Sequence, residues 1–157
     1  MRIEHEKLGT LEIPDDRILT FPEGIPGFSD ARRFGLLDVR EGSFFRWLAA
    51  LDRPELALLV ADPFLFFPGY EAPLEDRDLA ALSYRKEDEL ILLSVVTVRG
   101  RRREDTTFNL RAPVVINPRT LRGKQVLLKE ERWGIRVPFP AIAPSPCGGK
   151  DRKPAAL

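Results

Sequence analysis

Cysteine, histidine and methionine are nearly missing from this chain: Cys147, His5 and Met1 are the sole examples among 157 residues. A lone thiol in a Pro/Gly-rich tail closes no internal disulfide, and with one distant imidazole it assembles no zinc site, so no structural metal is expected. Ser/His or Cys/His catalysis needs an imidazole beside its nucleophile, and His5 reads as a surface position on a polar N-terminal strand. Neither Gly-x-Gly-x-x-Gly nor Gly-x-x-x-x-Gly-Lys-Ser/Thr occurs, which leaves nucleotide chemistry without its usual cradle, and no cofactor is expected. Long apolar runs are missing too. The most strongly apolar one, Leu90 to Val98, falls far short of the ~20 residues a membrane helix requires, and the Arg2-Ile3-Glu4-His5-Glu6-Lys7 start is no signal peptide. A cytoplasmic protein with no membrane partner is expected.

What is present suits one globular domain: 43% hydrophobic and 31% charged residues, with 14 prolines and 11 glycines spread along the chain. The formal net charge is +1, and without Lys150, Arg152, Lys153 and Asp151 of the tail the remaining body is slightly acidic, so no general attraction to nucleic acid is expected. Punctuation this frequent leaves few windows for helices. Strands are predicted at Met1 to Lys7, Leu8 to Pro14 (with Gly9 turning the pair), Ile18 to Phe21, Phe34 to Val39, Phe44 to Leu51 and Leu56 to Ala61, the last buried on both faces. Leu90 to Val98, Thr106 to Asn117 and Lys124 to Leu128 continue the series. Pro22 to Phe28 must be an ordered loop, Ser29 or Asp30 could cap one helical turn, and Glu75 to Ser83 is a short helix with an acidic start, read as a lid.

Short strands at near-regular spacing, one or two short helices and no βαβ rhythm predict a mainly β single domain, an antiparallel β-barrel-like fold or a sandwich. Residues 1–138 form that domain, and 139–157 are read as a Pro/Gly-rich disordered tail.

Carboxylate runs at Asp15-Asp16, Glu87-Asp88-Glu89 and Glu130-Glu131 could be drawn as acid/base pairs, but each borders a turn, where charge keeps loops solvated. Arg99-Gly100-Arg101-Arg102-Arg103 is the dense basic cluster; it reads as a charged hairpin tip, and an RNA-binding β-barrel acting through it is the competing function. The most informative segment is Asp62-Pro63-Phe64-Leu65-Phe66-Phe67-Pro68-Gly69-Tyr70-Glu71. Extended, it sets Phe64 and Phe66 against Leu65 and Phe67 on opposite faces, and its prolines restrict it to a sheet edge, where exposed aromatic area could dock a partner. Complete burial in the core is the alternative, and the sequence leaves both open.

Three separated stretches resemble the FliW family of flagellar assembly factors: Ile18-Leu19-Thr20-Phe21-Pro22-Glu23-Gly24-Ile25-Pro26-Gly27-Phe28, then Pro54 to Phe64, then Asn109 to Pro118 with Gly123-Lys124-Gln125. They follow the family's order over roughly residues 1 to 138. The resemblance implies a β-barrel-like binding protein, not an enzyme, that holds flagellin in the cytoplasm. Once flagellin is exported it binds the translational regulator CsrA instead, antagonising it allosterically and so coupling flagellin translation to export. It implies nothing about the tail or the Arg cluster. Expected partner contacts are Phe66, Phe67, Pro68, Tyr70 and Glu71, with Asn117, Arg119 and Gln125 as polar companions, although both Asn109 and Asn117 could simply bond neighbouring main chain.

Overall fold

A computed structural model describes residues 1–140, the side chain of Arg103 excepted. The expectations for Cys147 and for the tail past Pro140 lie outside the described residues. The elements are β1 (Arg2–His5), β2 (Gly9–Glu12), β3 (Leu19–Thr20), β4 (Arg33–Asp38), β5 (Phe45–Ala50), β6 (Ala57–Ala61), α1 (Pro63–Phe66), α2 (Asp76–Ala81), β7 (Ile91–Val98), β8 (Thr106–Asn117), β9 (Arg122–Gln125) and β10 (Val137–Pro138). Strands β8, β7, β6, β5, β4, β3 and β9 pair in that order, and β9 pairs back onto β8, so seven strands close into a barrel. Every pairing is antiparallel except β3 with β9, which meet in parallel through Thr20 and Arg122. The fold is thus mainly β and barrel-like, and closure removes most of the edge that a sandwich would leave open.

Closure depends on the length and bend of β8. Its last residues pair with β9, Val114 opposite Gln125 through Asn117 opposite Arg122, while Thr107 and Phe108 near its start pair with β10. The bend lies between: the register with β7 jumps from Leu93 opposite Val114 to Val95 opposite Asn109. Pro113 offers no N–H there, Asn109 Oδ1 accepts from Ala112 N at 3.0 Å, and Ser94 Oγ donates to Asn109 O at 2.9 Å. The bend therefore rests on local polar bonds, and one strand serves two neighbours.

Apolar side chains of alternate strand positions fill the barrel, among them Phe21, Phe34, Leu48, Val60, Val114 and Ile116, all buried. Phe21 and Phe34 lie 4.8 Å apart between ring centroids, and Phe21 fills the space that a Cβ at Gly123 would occupy. The β1–β2 hairpin, turned at Gly9 with φ +78°, packs Ile13 against Gly35 of β4. Here the reading of His5 as a surface residue is corrected. It is 3% exposed, its Nε2 lies 2.9 Å from Leu56 O, and its Nδ1 accepts from Lys7 N, so the ring ties the hairpin to the turn before β6.

Other departures are local. No helical turn forms at Ser29 or Asp30; the segment is a chain of turns in which Ile25 bridges Phe28 and Ala31 N donates to Phe28 O. In Leu56 to Ala61 only Leu56, Val60 and Ala61 are buried, the middle being half-exposed. The strand predicted at Lys124 to Leu128 ends at Gln125, though Val126 and Leu128 still donate to Pro113 O and Arg111 O. Helix α2 is fastened and does not sit as a lid, since Leu82 at its end is fully buried against Val115, Val126 and Leu128.

Candidate partner-binding surface

A second apolar cluster lies apart from the barrel interior, and the aromatic segment builds it. Asp62 and Pro63 decide its form: Asp62 Oδ1 accepts from Phe64 N at 2.8 Å, Pro63 takes the first helical position, and Phe67 N closes the turn on Pro63 O. The result is the single-turn helix α1, not an edge strand. Phe66 drops into the cluster, 3% exposed, with centroids 4.9 Å from Phe108, 5.4 Å from Phe139 and 5.8 Å from Phe45. Tyr70 is equally buried; its hydroxyl donates to Leu110 O at 2.7 Å, its ring lies 5.2 Å from Trp133, and burial pushes the phenol well above its ordinary value.

Phe66 and Tyr70 are therefore core residues. Truncating them would remove the floor of this cluster and could not test a surface contact alone. Phe67 is half-buried, 5.3 Å from Phe108, whereas Pro68 and Glu71 are exposed. Glu71 sits 3.9 Å from Arg132, whose guanidinium stacks 4.9 Å from the Trp133 ring. Packing continues through Phe139, one residue past the predicted end of the domain.

The polar companions lie elsewhere, at the far end of β8, so the structure does not gather the predicted residues into one site. Asn117 is fully buried; Nδ2 donates to Leu82 O at 3.1 Å and to Asp88 Oδ2 at 3.0 Å, while Oδ1 accepts from Arg119 N at 3.1 Å. Arg119 donates through Nε to Asp88 Oδ1 at 2.6 Å and through Nη2 to Ser83 O at 2.7 Å. Together they lash the loop after α2 to the turn between β8 and β9. The hydrogen bond from Arg119 holds the Asp88 carboxyl far below its ordinary range, with Arg85 N and Asn117 assisting against desolvation. Gln125 Nε2 donates to Ala112 O at 3.0 Å and supports the bend of β8.

Two features escaped the sequence. Asp88, one of three consecutive acids, is the hub of a knot and no loose solvated charge. Asp78 of α2 is 3% exposed, accepts from Glu75 N at 3.1 Å, and receives Lys124 Nζ at 3.0 Å, with Glu23 3.4 Å from the same nitrogen. Desolvation alone would lower the Lys124 ammonium, but the bond and charge of Asp78 and the charge of Glu23 outweigh it and raise it. The Glu75-x-x-Asp78 spacing, a capping box, was the available signal. Among the described residues no three His, Cys, Asp or Glu side chains are placed to hold a metal ion, and no helix is long and apolar enough to cross a membrane.

Against known proteins, a family model described as FliW protein matches residues 2–139. A flagellar assembly factor FliW from Natranaerobius thermophilus is 34% identical over 139 residues, 88% of this chain and 92% of the relative. That of Heliobacterium modesticaldum is 35% identical over 151 residues, 96% and 98% of the two chains. A crystal structure of the flagellar assembly factor FliW superposes with a TM-score of 0.81 at 35% identity, covering 89% of this chain and 98% of that one.

Proposed function

Because the chain belongs to the FliW family of flagellar assembly factors, we propose that it works in the cytoplasm by mutually exclusive binding of two proteins, flagellin and the translational regulator CsrA. The family match across the whole barrel carries this reading. Free flagellin occupies the protein until export removes it; CsrA then takes its place and is kept from repressing flagellin translation. Such a switch needs only that the partners exclude each other and that their affinities bracket working concentrations. No bond-making group is required, and the one imidazole is committed to a structural clamp on Leu56.

The contact surface we assign comprises Phe67, Pro68 and Glu71, carried on the rigid aromatic floor of Phe66 and Tyr70. Asn117, Arg119 and Gln125 serve the fold and not the contact, since their donors are directed to main chain and to Asp88, even though Arg119 is exposed. Calorimetric titration of the purified chain with flagellin and with CsrA should show binding of each, and saturating flagellin should block CsrA. Pro68→Arg with Glu71→Lys should weaken capture by about tenfold or more, roughly 1.4 kcal/mol, at an unchanged urea midpoint. Failure to bind either protein at near-physiological salt would sink the reading.

A further inference from the structure

The basic cluster occupies the tip of the β7–β8 hairpin, and the tip is a built loop. Pairing runs to Val98 opposite Thr106, then Arg99 N donates to Asp105 O at 3.0 Å. Asp105 shapes the rest: its Oδ2 accepts from Arg102 N at 3.2 Å, and its own N–H donates to Arg102 O at 3.0 Å. A Cβ at Gly100 would collide with that carboxylate, so the glycine leaves the space in which the acid folds inward. The nearest negative charge is thereby turned to holding the loop.

Arg99, Arg101 and Arg102 are exposed, and none is ion-paired among the described residues. Several other arginines meet acids: Arg53 with Asp30 and Glu55, Arg46 with Asp38, Arg119 with Asp88. The tip sets its unpaired cations side by side on one short loop. Its cations are all arginine, whose planar fork of donors fits phosphate oxygens two at a time. Residues 99 to 105 include no aromatic ring on which a base could stack and no apolar side chain to enter a bilayer.

We propose that the β7–β8 tip is a sequence-blind contact for a nucleic-acid phosphate backbone. The body of the chain is close to neutral, so the attraction is local and falls steeply with salt.

The test is fluorescence anisotropy of a labelled single-stranded RNA of about 20 nucleotides with the full chain. Three guanidiniums engaging phosphate give a log-log salt slope near −2, so affinity should fall about 20-fold between 50 and 200 mM salt. Arg99→Ala/Arg101→Ala/Arg102→Ala should abolish the signal while keeping its thermal melt, and a scrambled RNA of equal length should bind like the original. The proposal is overturned by no binding at 50 mM salt, or by binding that the triple variant retains. It is equally overturned if the chain binds phosphatidylserine-containing vesicles through these arginines more tightly than RNA.

Discussion

At the scale of single residues, glycine shows how differently one residue type can be required. Gly24 and Gly27 both adopt positive φ, +68° and +90°, in the loop after β3. A Cβ at Gly27 meets open space, whereas one at Gly24 would lie 2.6 to 2.8 Å from the main chain of Ser29, which cannot swing aside. Gly27→Ala should cost only the left-handed penalty of about 1–2 kcal/mol. Gly24→Ala adds a backbone clash and should cost about 3 kcal/mol or more, to be read from urea midpoints at constant slope. Both glycines were legible as backbone-shape positions, but their inequality was not, because the neighbour that decides it is set by the loop's own closure. Asp62-Pro63 is the converse case. The cap and first-turn proline were both in the sequence, and the apolar run behind them drew the reading toward a strand, although four side chains on one turn bury Phe66 as well as a strand would.

Among elements, the strands other than β10 were recovered because their signals are local: β-branched runs, alternation and turn residues. The knot joining the α2–β7 loop to the β8–β9 turn was not, since Asn117 reaches Leu82 and Arg119 reaches Ser83 across long separations in sequence. Within the knot, the bond from Arg119 N to Asn117 Oδ1 followed the expected local pattern, as the bond from Ala112 N to Asn109 Oδ1 did at the bend of β8. This knot gives the fold an acid dependence. The folded Asp88 carboxyl titrates well below its ordinary value of 3.8, so its contribution is fully present above about pH 4–5 and is lost as pH falls toward the folded value. Asp88→Asn should lower stability at pH 7 and flatten the decline of the melting temperature below pH 4. A variant declining as steeply as the parent would show that other carboxylates dominate.

For the molecule as a whole, a mainly β fold, barrel or sandwich, was readable from composition and spacing, but two aspects of its packing were not. One is the closure of β9 onto β8; the other is the aromatic cluster beside the barrel, completed by residues near the end of the described chain. Val137 and Phe139 cover Phe108 there, and Phe139 N donates to Thr106 O at 3.1 Å. A chain ending at Pro140 keeps every contact described, whereas one ending at Arg136 should lose about 2–4 kcal/mol, with near-ultraviolet dichroism of the aromatic cluster reduced. Equal melts for the two would show that β10 adds nothing to the fold.

The parallel junction of β3 with β9 is the shortest in the ring, resting on Thr20 beside Arg122, with Thr20 N donating to Leu121 O. Like the clasp of a bracelet, it can come undone while every longer link stays fastened. The cylinder would then unroll into a leaf hinged along the remaining ladders, and thermal breathing would begin at the FliW signature stretch itself, where Phe21 faces Gly123 across the gap.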